Sequence, residues 1–295
     1  MRGGEKYNSI GDYLREYFGN KTVKLSIEAG FTCPNRDGKI GTGGCAFCSA
    51  GGSGELASSI EDQINLLSDK WPDATYLAYF QSHTNTYAPV DVLREKFYAA
   101  LNDPRISGIA IATRPDCLDE EVLELLDEIN RNHFLWIELG LQTIHPRSSE
   151  MLGIGYNLAC YDRAIKELSK RNIRVVTHLI LGLPGESEED MFESLKYVCK
   201  DNIFGLKLHL LNIVKGSRLH DMMPNYIPFA SIDEYTDLVV RLLEIIPPEV
   251  TIHRLTGDVP RSLLVAPEWS YRKRTILNEI NRKLKESNTH QGAAL

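Results

Sequence analysis

Three cysteines fall within sixteen positions of this 295-residue chain, in the segment Thr32-Cys33-Pro-Asn-Arg-Asp-Gly-Lys-Ile-Gly-Thr-Gly-Gly-Cys45-Ala-Phe-Cys48. Cys45 and Cys48 form a close Cys-x-x-Cys pair, and Cys33 lies upstream across a gap of eleven residues. Thiolates are soft ligands that suit zinc or an iron–sulfur cluster. The intervening loop is rich in Gly, Asn and Asp, so it can fold back over a bound centre. Gly51, Gly52 and Gly54 follow, where backbone can approach a ligand closely. A closed zinc site needs a fourth ligand, which here would be His83 or another distant histidine. A cubane on three cysteines keeps one iron open to chelate a substrate or cofactor. The donor set alone leaves both centres open. Cys117, Cys160 and Cys199 are scattered, and six cysteines in a chain this long do not form a disulfide framework.

The elements that position this cluster alternate in texture. Short aliphatic and β-branched runs predict strands over Val23–Ile27, Thr75–Phe80, Gly108–Ala112, Leu135–Gly140, Arg174–Leu181 and Leu206–Leu211. Helical spacing lies between them. Ile60, Ile64, Leu67 and Trp71 share one face, as do Val122, Leu125, Leu126 and Ile129. Further helices are predicted near 90–102, 158–171, 188–200 and 232–246, with Ser58 or Ser59, Asp119 and Ser187 as caps. Strand and helix alternating six times predicts parallel strands with right-handed crossovers. Near-continuous apolar strands suit a sheet covered on both faces. Polar residues collect at or after the strands' carboxyl ends, where active sites gather in open sheets and barrels alike. Neither a Gly-x-Gly-x-x-Gly turn nor a Gly-Lys-Ser/Thr loop is present, which argues against dinucleotide and P-loop sites.

Composition is that of a globular chain, with 43% hydrophobic and 25% charged residues. The net charge of −7 argues against blanket nucleic-acid binding but permits a local basic patch. The stretch Met1–Tyr7 has no apolar core like that of a signal peptide, and no apolar run approaches the roughly 18 residues that span a bilayer. The expectation is a cytoplasmic protein with no membrane partner. The tail from about Ser287 is predicted to fray.

With the cysteines, six further segments resemble those of radical S-adenosylmethionine (SAM) enzymes. They are Ser26-Ile-Glu-Ala-Gly-Phe-Thr-Cys-Pro-Asn-Arg-Asp-Gly, Tyr79-Phe-Gln-Ser-His-Thr-Asn-Thr-Tyr-Ala-Pro, Ile111-Ala-Thr-Arg-Pro-Asp, Ile137-Glu-Leu-Gly-Leu-Gln-Thr, His178-Leu-Ile-Leu-Gly-Leu-Pro-Gly-Glu and His253-Arg-Leu-Thr-Gly-Asp. The resemblance runs from about Tyr7 to Gly292. It is to the branch that includes the radical SAM half of the Elongator catalytic subunit, and within it to single-domain bacterial YhcC-like proteins. The superfamily pattern is Cys-x3-Cys-x2-Cys; the long first gap here matches the Elongator-like branch.

The resemblance implies an α/β fold, a partial (β/α)6 TIM-type barrel over 23–246, with a short N-terminal extension (1–22) and a helical C-terminal extension (247–295). It implies a [4Fe–4S] cluster on Cys33, Cys45 and Cys48, with SAM on the open iron. It also implies an external one-electron reductant such as flavodoxin or ferredoxin. Gln81 stands where a Gly-Gly-Glu-like turn often meets the SAM amino group. Arg114 is expected to pair with the SAM carboxylate, Glu138 and Gln142 to meet the ribose, and Gly182 and Pro184 to lie against the adenine. For Glu138 the alternative is an ion pair inside the barrel with Arg114 or Lys207.

Lys207 and His209 share one face of the sixth strand, and Arg254 follows another strand-like run. If that face is the barrel interior, these three meet substrate as catalytic candidates. The stretch Tyr271–Lys285 reads as a basic amphipathic helix that could grip RNA phosphates or pack on the barrel, and Trp269 and Tyr271 could stack on a base. The leading expectation is modification of tRNA, at wobble uridine as for the Elongator-like relatives. The alternatives are a radical SAM enzyme for a small acidic metabolite or cofactor precursor, and a non-catalytic zinc-binding module. The sequence does not specify oligomeric state.

Overall fold

The computed structural model describes residues 6–49, 51–52 and 54–295. Seven strands, β1 (Thr22–Ile27), β2 (Thr75–Phe80), β3 (Ile106–Thr113), β4 (Phe134–Gln142), β5 (Arg174–Leu181), β6 (Gly205–Leu210) and β8 (Thr251–Arg254), form one parallel sheet in the order β1-β2-β3-β4-β5-β6-β8. The sheet curls into a partial barrel. All six expected strands are present. The seventh, β8, comes from the segment expected to be a C-terminal extension, and it pairs with β6 through Gly205↔Thr251 and Lys207↔Arg254. Strands β7 (Ile213–Val214) and β9 (Leu264–Ala266) make a separate antiparallel pair.

Helices α1 (Ile10–Phe18), α2 (Ile60–Ser68), α3 (Val90–Leu101), α4 (Glu120–Asn132), α5 (Pro146–Leu152), α6 (Leu158–Lys170), α7 (Glu188–Val198), α8 (Arg218–Met222), α9 (Ile232–Glu244) and α10 (Lys273–Glu286) complete the fold. The expected caps are present: Ser59, Asp119 and Ser187 accept from the backbone N–H of Asp62, Val122 and Asp190.

Alternation along each strand divides the core in two. On β4, Leu135, Ile137, Leu139 and Leu141 join the layer under the helices, and on β6 Leu206, Leu208 and Leu210 do the same. Phe134 and Trp136 face the other way, into a plug with Leu14, Leu77, Tyr79, Ala110 and Val176. Helix α1 closes the floor of this plug, where the Tyr13 ring meets Phe204 edge-on at 4.9 Å. Polar side chains therefore sit above an apolar floor, and one register row sets Gly140, His178, Lys207 and Arg254 side by side.

Helix α10 packs on α9 through Ile276, Ile280 and Leu284, each fully buried. The tail departs from expectation. Gln291 is fully buried, donates to Pro247 O and Val250 O, and accepts from Asn8 N at 2.8 Å, so it ties both ends of the chain beneath β8. Among the described residues, no helix is long and apolar enough to cross a membrane.

Candidate active site

A cavity of about 230 Å³ opens at the carboxyl ends of the parallel strands, and Cys33, Cys45 and Cys48 all lie on its wall. The cysteine loop is pinned from several sides. Arg36 N donates to Cys33 O, Gly44 N to Asn35 O and Ala46 N to Leu152 O. The Arg36 guanidinium closes the loop onto Ser49 O. Asn35 is buried, and its amide donates to Cys45 Sγ at 3.3 Å and to the carbonyls of Gly153 and Ile154. The hydrogen bond from Cys48, that from Asn35 and the nearby Arg114 and Arg36 charges pull the Cys45 thiol down to about 6 against its burial, and Cys48 is pushed up.

This donor set fits an iron–sulfur cluster better than a single ion. Tetrahedral zinc at a Zn–S distance of about 2.3 Å would draw its thiolates to about 3.8 Å apart. Among the described residues, no three ligand atoms that include a cysteine lie within 4.8 Å of one another. Cys45 and Cys48 hydrogen-bond to each other, but among the described residues no third ligand atom, Cys33 Sγ included, joins them at that spacing, and three free thiols on one cavity wall suit the three protein-held irons of a cubane.

The barrel interior carries a polar network. Glu138, fully buried, accepts from Tyr79 Oη (2.6 Å), Trp136 Nε1 (3.0 Å), His178 Nε2 (3.0 Å) and the Lys207 ammonium. Lys24 approaches it at 4.0 Å. Burial alone would raise the Glu138 carboxyl, but Lys207, His178 and Lys24 hold it well below the usual carboxylate range. Burial lowers Lys207 to about 7 against the opposing pull of Glu138. Burial also lowers His178 to about 4, with Lys207 adding to the shift. His209, whose ring lies 5.1 Å from that of His178, is held well below its ordinary range by burial and the nearby Arg254.

Lys207, His209 and Arg254 do line the cavity, so the inward face of β6 is settled. Lys207 is committed to Glu138, and Arg254 pairs with Asp258 at 2.9 Å. Glu138 differs from the ribose expectation: its oxygens are taken up by the network, and the ion pair with Lys207 is what the structure shows. Arg114 lines the cavity with its guanidinium already engaged. Its guanidinium grips Asp116 in a fork (2.9 and 2.8 Å), donates to Ile154 O and stacks on Tyr156.

Gly182 and Pro184 do not line the cavity. Gly182 is glycine because a Cβ would stand 2.6 Å from the Phe229 ring and 2.9 Å from Pro228, at a φ of +83°. Gln142 lines the cavity in the left-handed region, at φ 71°. Gln81 lines it too, with Oε1 accepting from Ser26 Oγ at 3.0 Å.

Sequence reasoning assigned no role to Tyr79, Lys24, His178, Asn35 or Tyr156, and took Asp258 only as part of a candidate substrate-facing or lid segment, His253–Asp258. Tyr79 and His178 stood inside quoted motifs, and strand alternation from Gln81 and Ile180 would have placed them inward. Nothing in the sequence ties Asn35 to Cys45. Ser82 and His83 were also missed as a pair: His83 adopts φ 61°, and both Ser82 Oγ and His83 Nδ1 are buried without a partner. Gly52 and Gly54 close over them, where a Cβ would fall 2.4 Å from His83 Nδ1 and 1.8 Å from Ser82 Oγ.

Comparison with known proteins agrees with this geometry. The family described as "Radical SAM superfamily" matches residues 33–198, and "Radical_SAM C-terminal domain" matches residues 203–286. The chain is 43% identical to the uncharacterized protein YtqA of Bacillus subtilis, over 98% of this chain and 92% of that one. It is 37% identical to protein YhcC of Escherichia coli, over 98% and 95%. A partial relative, the tRNA uridine(34) acetyltransferase of Dehalococcoides mccartyi, is 28% identical over 55% of this chain and 36% of that one. Among solved structures, the archaeal Methanocaldococcus infernus Elp3 superposes with a TM-score of 0.67 at 15% identity, over 92% of this chain and 64% of that one, a likeness of fold. The chain therefore belongs to the radical SAM superfamily, in its Elongator-like branch, and its cofactors are a [4Fe–4S] cluster and S-adenosylmethionine.

Proposed function

We propose that this radical SAM enzyme acts on a base of an RNA, with a tRNA uridine, the wobble position above all, as substrate. The observation that carries the reading is a basic aromatic platform at the cavity mouth. Asp258 and Val259 line the cavity, and Arg261 follows two residues later. Its guanidinium lies 4.4 Å over the exposed Tyr271 ring, with Arg272 at 5.6 Å. Lys273 ties the platform back to Asp258. An exposed aromatic ring with two guanidinia packed against it offers stacking and phosphate-pairing groups to nucleotides flanking a base turned into the cavity. The partial relative that carries tRNA uridine(34) in its name supports the same substrate class.

The platform relocates the expected RNA grip. Much of the charge of helix α10 is neutralised, since Lys283 pairs with Asp233 and Asp237 of α9, and Arg282 with Glu279 and Glu286 of its own helix. The acidic-metabolite reading loses support in the cavity itself. Lys207 and Arg254 are paired with carboxylates, and burial keeps His209 neutral.

The cluster and SAM supply one-electron cleavage and a hydrogen-abstracting radical; the protein's part is to orient the reactants and keep water out. The three cysteines on the cavity wall would hold the cluster. Gln81, Gln142 and the Ser82–His83 turn offer polar atoms beside it. The plug over α1 seals the floor, and the Glu138 network holds Lys207, Tyr79 and His178 in fixed positions on the wall.

The test is anaerobic. Reconstituted protein with SAM and reductant is incubated with tRNA, and digested nucleosides are read by mass spectrometry. A new uridine-derived nucleoside, absent with Cys45→Ala, is expected. SAM cleavage that ignores RNA and leaves every nucleoside unchanged would remove the RNA reading and favour a small substrate.

A further inference from the structure

One carboxylate joins the cavity to the aromatic plug beneath it. Glu138 Oε2 accepts from the phenol of Tyr79 at 2.6 Å, and Oε1 accepts from the indole N–H of Trp136 at 3.0 Å. Tyr79 lines the cavity, and Trp136 is fully buried behind it. Lys207 completes the link, its ammonium donating to Tyr79 Oη at 2.9 Å and to Glu138. From Trp136 the rings run on to the outside. Phe134 meets Trp136 edge-on at 5.7 Å, and Tyr17 lies 4.6 Å beyond Phe134 with 52% of its surface exposed.

A buried phenol and a buried indole each need a hydrogen-bond partner. That need does not require the two partners to be the two oxygens of one carboxylate, nor the rings to continue to solvent. Tyrosine and tryptophan are also the aromatic side chains most readily oxidised. A phenolic O–H is weaker than an aliphatic C–H, so a carbon radical takes that hydrogen downhill. Lys24 and Lys207 stand 4.9 and 4.7 Å over the Tyr79 ring. Two cations there oppose loss of an electron alone, so Tyr79 gives up its electron together with its hydrogen.

We infer that Tyr79, Glu138, Lys207 and Trp136 form a relay that disarms the cavity radical when no substrate is bound, passing its oxidising equivalent through Trp136 to Tyr17 at the surface. In the first step the Tyr79 O–H bond breaks and a C–H bond forms on the quenched radical, leaving a phenoxyl at Tyr79. Trp136 then supplies an electron to that oxygen and Lys207 a proton, while the Trp136 N–H proton passes to Glu138 Oε1. The Lys207–Glu138 ion pair becomes a neutral pair, so no net charge is created in the barrel. Burial already holds Lys207 down to about 7, so it gives up this proton readily. Tyr17 next returns an electron to Trp136, which takes its proton back from Glu138. Tyr17 releases its own proton to water, and Lys207 regains one from the cavity. A small soluble thiol finally gives Tyr17 a hydrogen atom, and two such thiols pair as a disulfide. The inference rests on the superfamily's radical chemistry and is independent of the RNA reading.

The experiment uses the reconstituted full chain with SAM and dithionite, and no RNA. In heavy water the Tyr79 oxygen carries deuterium, and the 5′-deoxyadenosine formed is read by mass spectrometry. Wild type is expected to give a deuterated product, and Tyr79→Phe of matched iron content to lose most of that label. Rapid freezing and electron paramagnetic resonance supply the second readout. Wild type grown on ring-deuterated tryptophan should show an organic radical whose lines narrow with the label. In Trp136→Phe the signal should move to tyrosine and narrow only with ring-deuterated tyrosine. Deuterium that survives Tyr79→Phe undiminished would overturn the relay, and so would a wild type with no tryptophan-centred radical. If Tyr79→Phe fails to hold iron, the labelled wild type decides by itself.

Discussion

Glu138 gathers Tyr79, Trp136, His178 and Lys207 around one buried carboxylate. Removing its charge strands the Lys207 ammonium in the barrel, so Glu138→Gln should cost about 3–5 kcal/mol in urea unfolding. The double variant Glu138→Leu/Lys207→Met should recover most of that loss, because an apolar pair leaves no unpaired charge. The acid response follows from the same residues. Below its ordinary value of 6.5, His178 of the unfolded chain takes up a proton that the folded chain refuses until about pH 4. Below about 4.5 the unfolded Glu138 does likewise, since its folded value lies lower still. In both windows the unfolded state binds more protons, so stability falls as pH drops from 6.5. Glu138→Gln should flatten the lower part of that slope. Among the ligands, Cys45→Ala should lose most of the iron on reconstitution, measured against protein by metal analysis. The cysteines were legible from type and spacing alone. Glu138, Arg114 and Gly182 were visible as chemistry but not as geometry, because their partners Lys207, Asp116 and Phe229 come from separate stretches of chain.

Strands and helices were the most readable level. Each expected strand appears because its apolar run is long enough to be covered on both faces, and Ser59, Asp119 and Ser187 cap as their side chains dictate. Strand β8 was read only as a strand-like run in the C-terminal extension, because Thr-Ile-His-Arg is four residues with three polar members, and its pairing to β6 is what makes it part of the barrel. Close approach between elements sets the next constraint. A Cβ on Gly108 of β3 would lie 2.6 Å from Phe134 O and 2.9 Å from Leu77 Cδ2. Gly108→Ala should therefore force β3 and β4 apart and lower stability by about 1–3 kcal/mol, read as a reduced urea midpoint.

On the scale of the molecule, the net charge of −7 pointed away from nucleic acid, and the Arg261–Tyr271–Arg272 platform shows how an acidic protein keeps a local basic face. Neutralising it should be visible as a salt effect. Arg261→Gln/Arg272→Gln should weaken tRNA binding and reduce the slope of log affinity against log salt by about 1–2, leaving cluster assembly intact. The polarity of the barrel, apolar floor and reactive rim, was implicit in strand alternation; the seal beneath it was not. That seal is braced from far along the chain: Asn8 N donates to Gln291 Oε1, 283 positions away, and Asn8 O accepts from Ile252 N. So long a span means that α1 gains its last ties only after β8 and the segment around Gln291 have been made. A nascent barrel would hold its cysteines and first six strands in place early, yet keep a loose base until β8 and Gln291 emerge. Translation that stops before β8 would then release a barrel open at the bottom, which quality control could recognise by the exposed aromatics around Phe134 and Phe204.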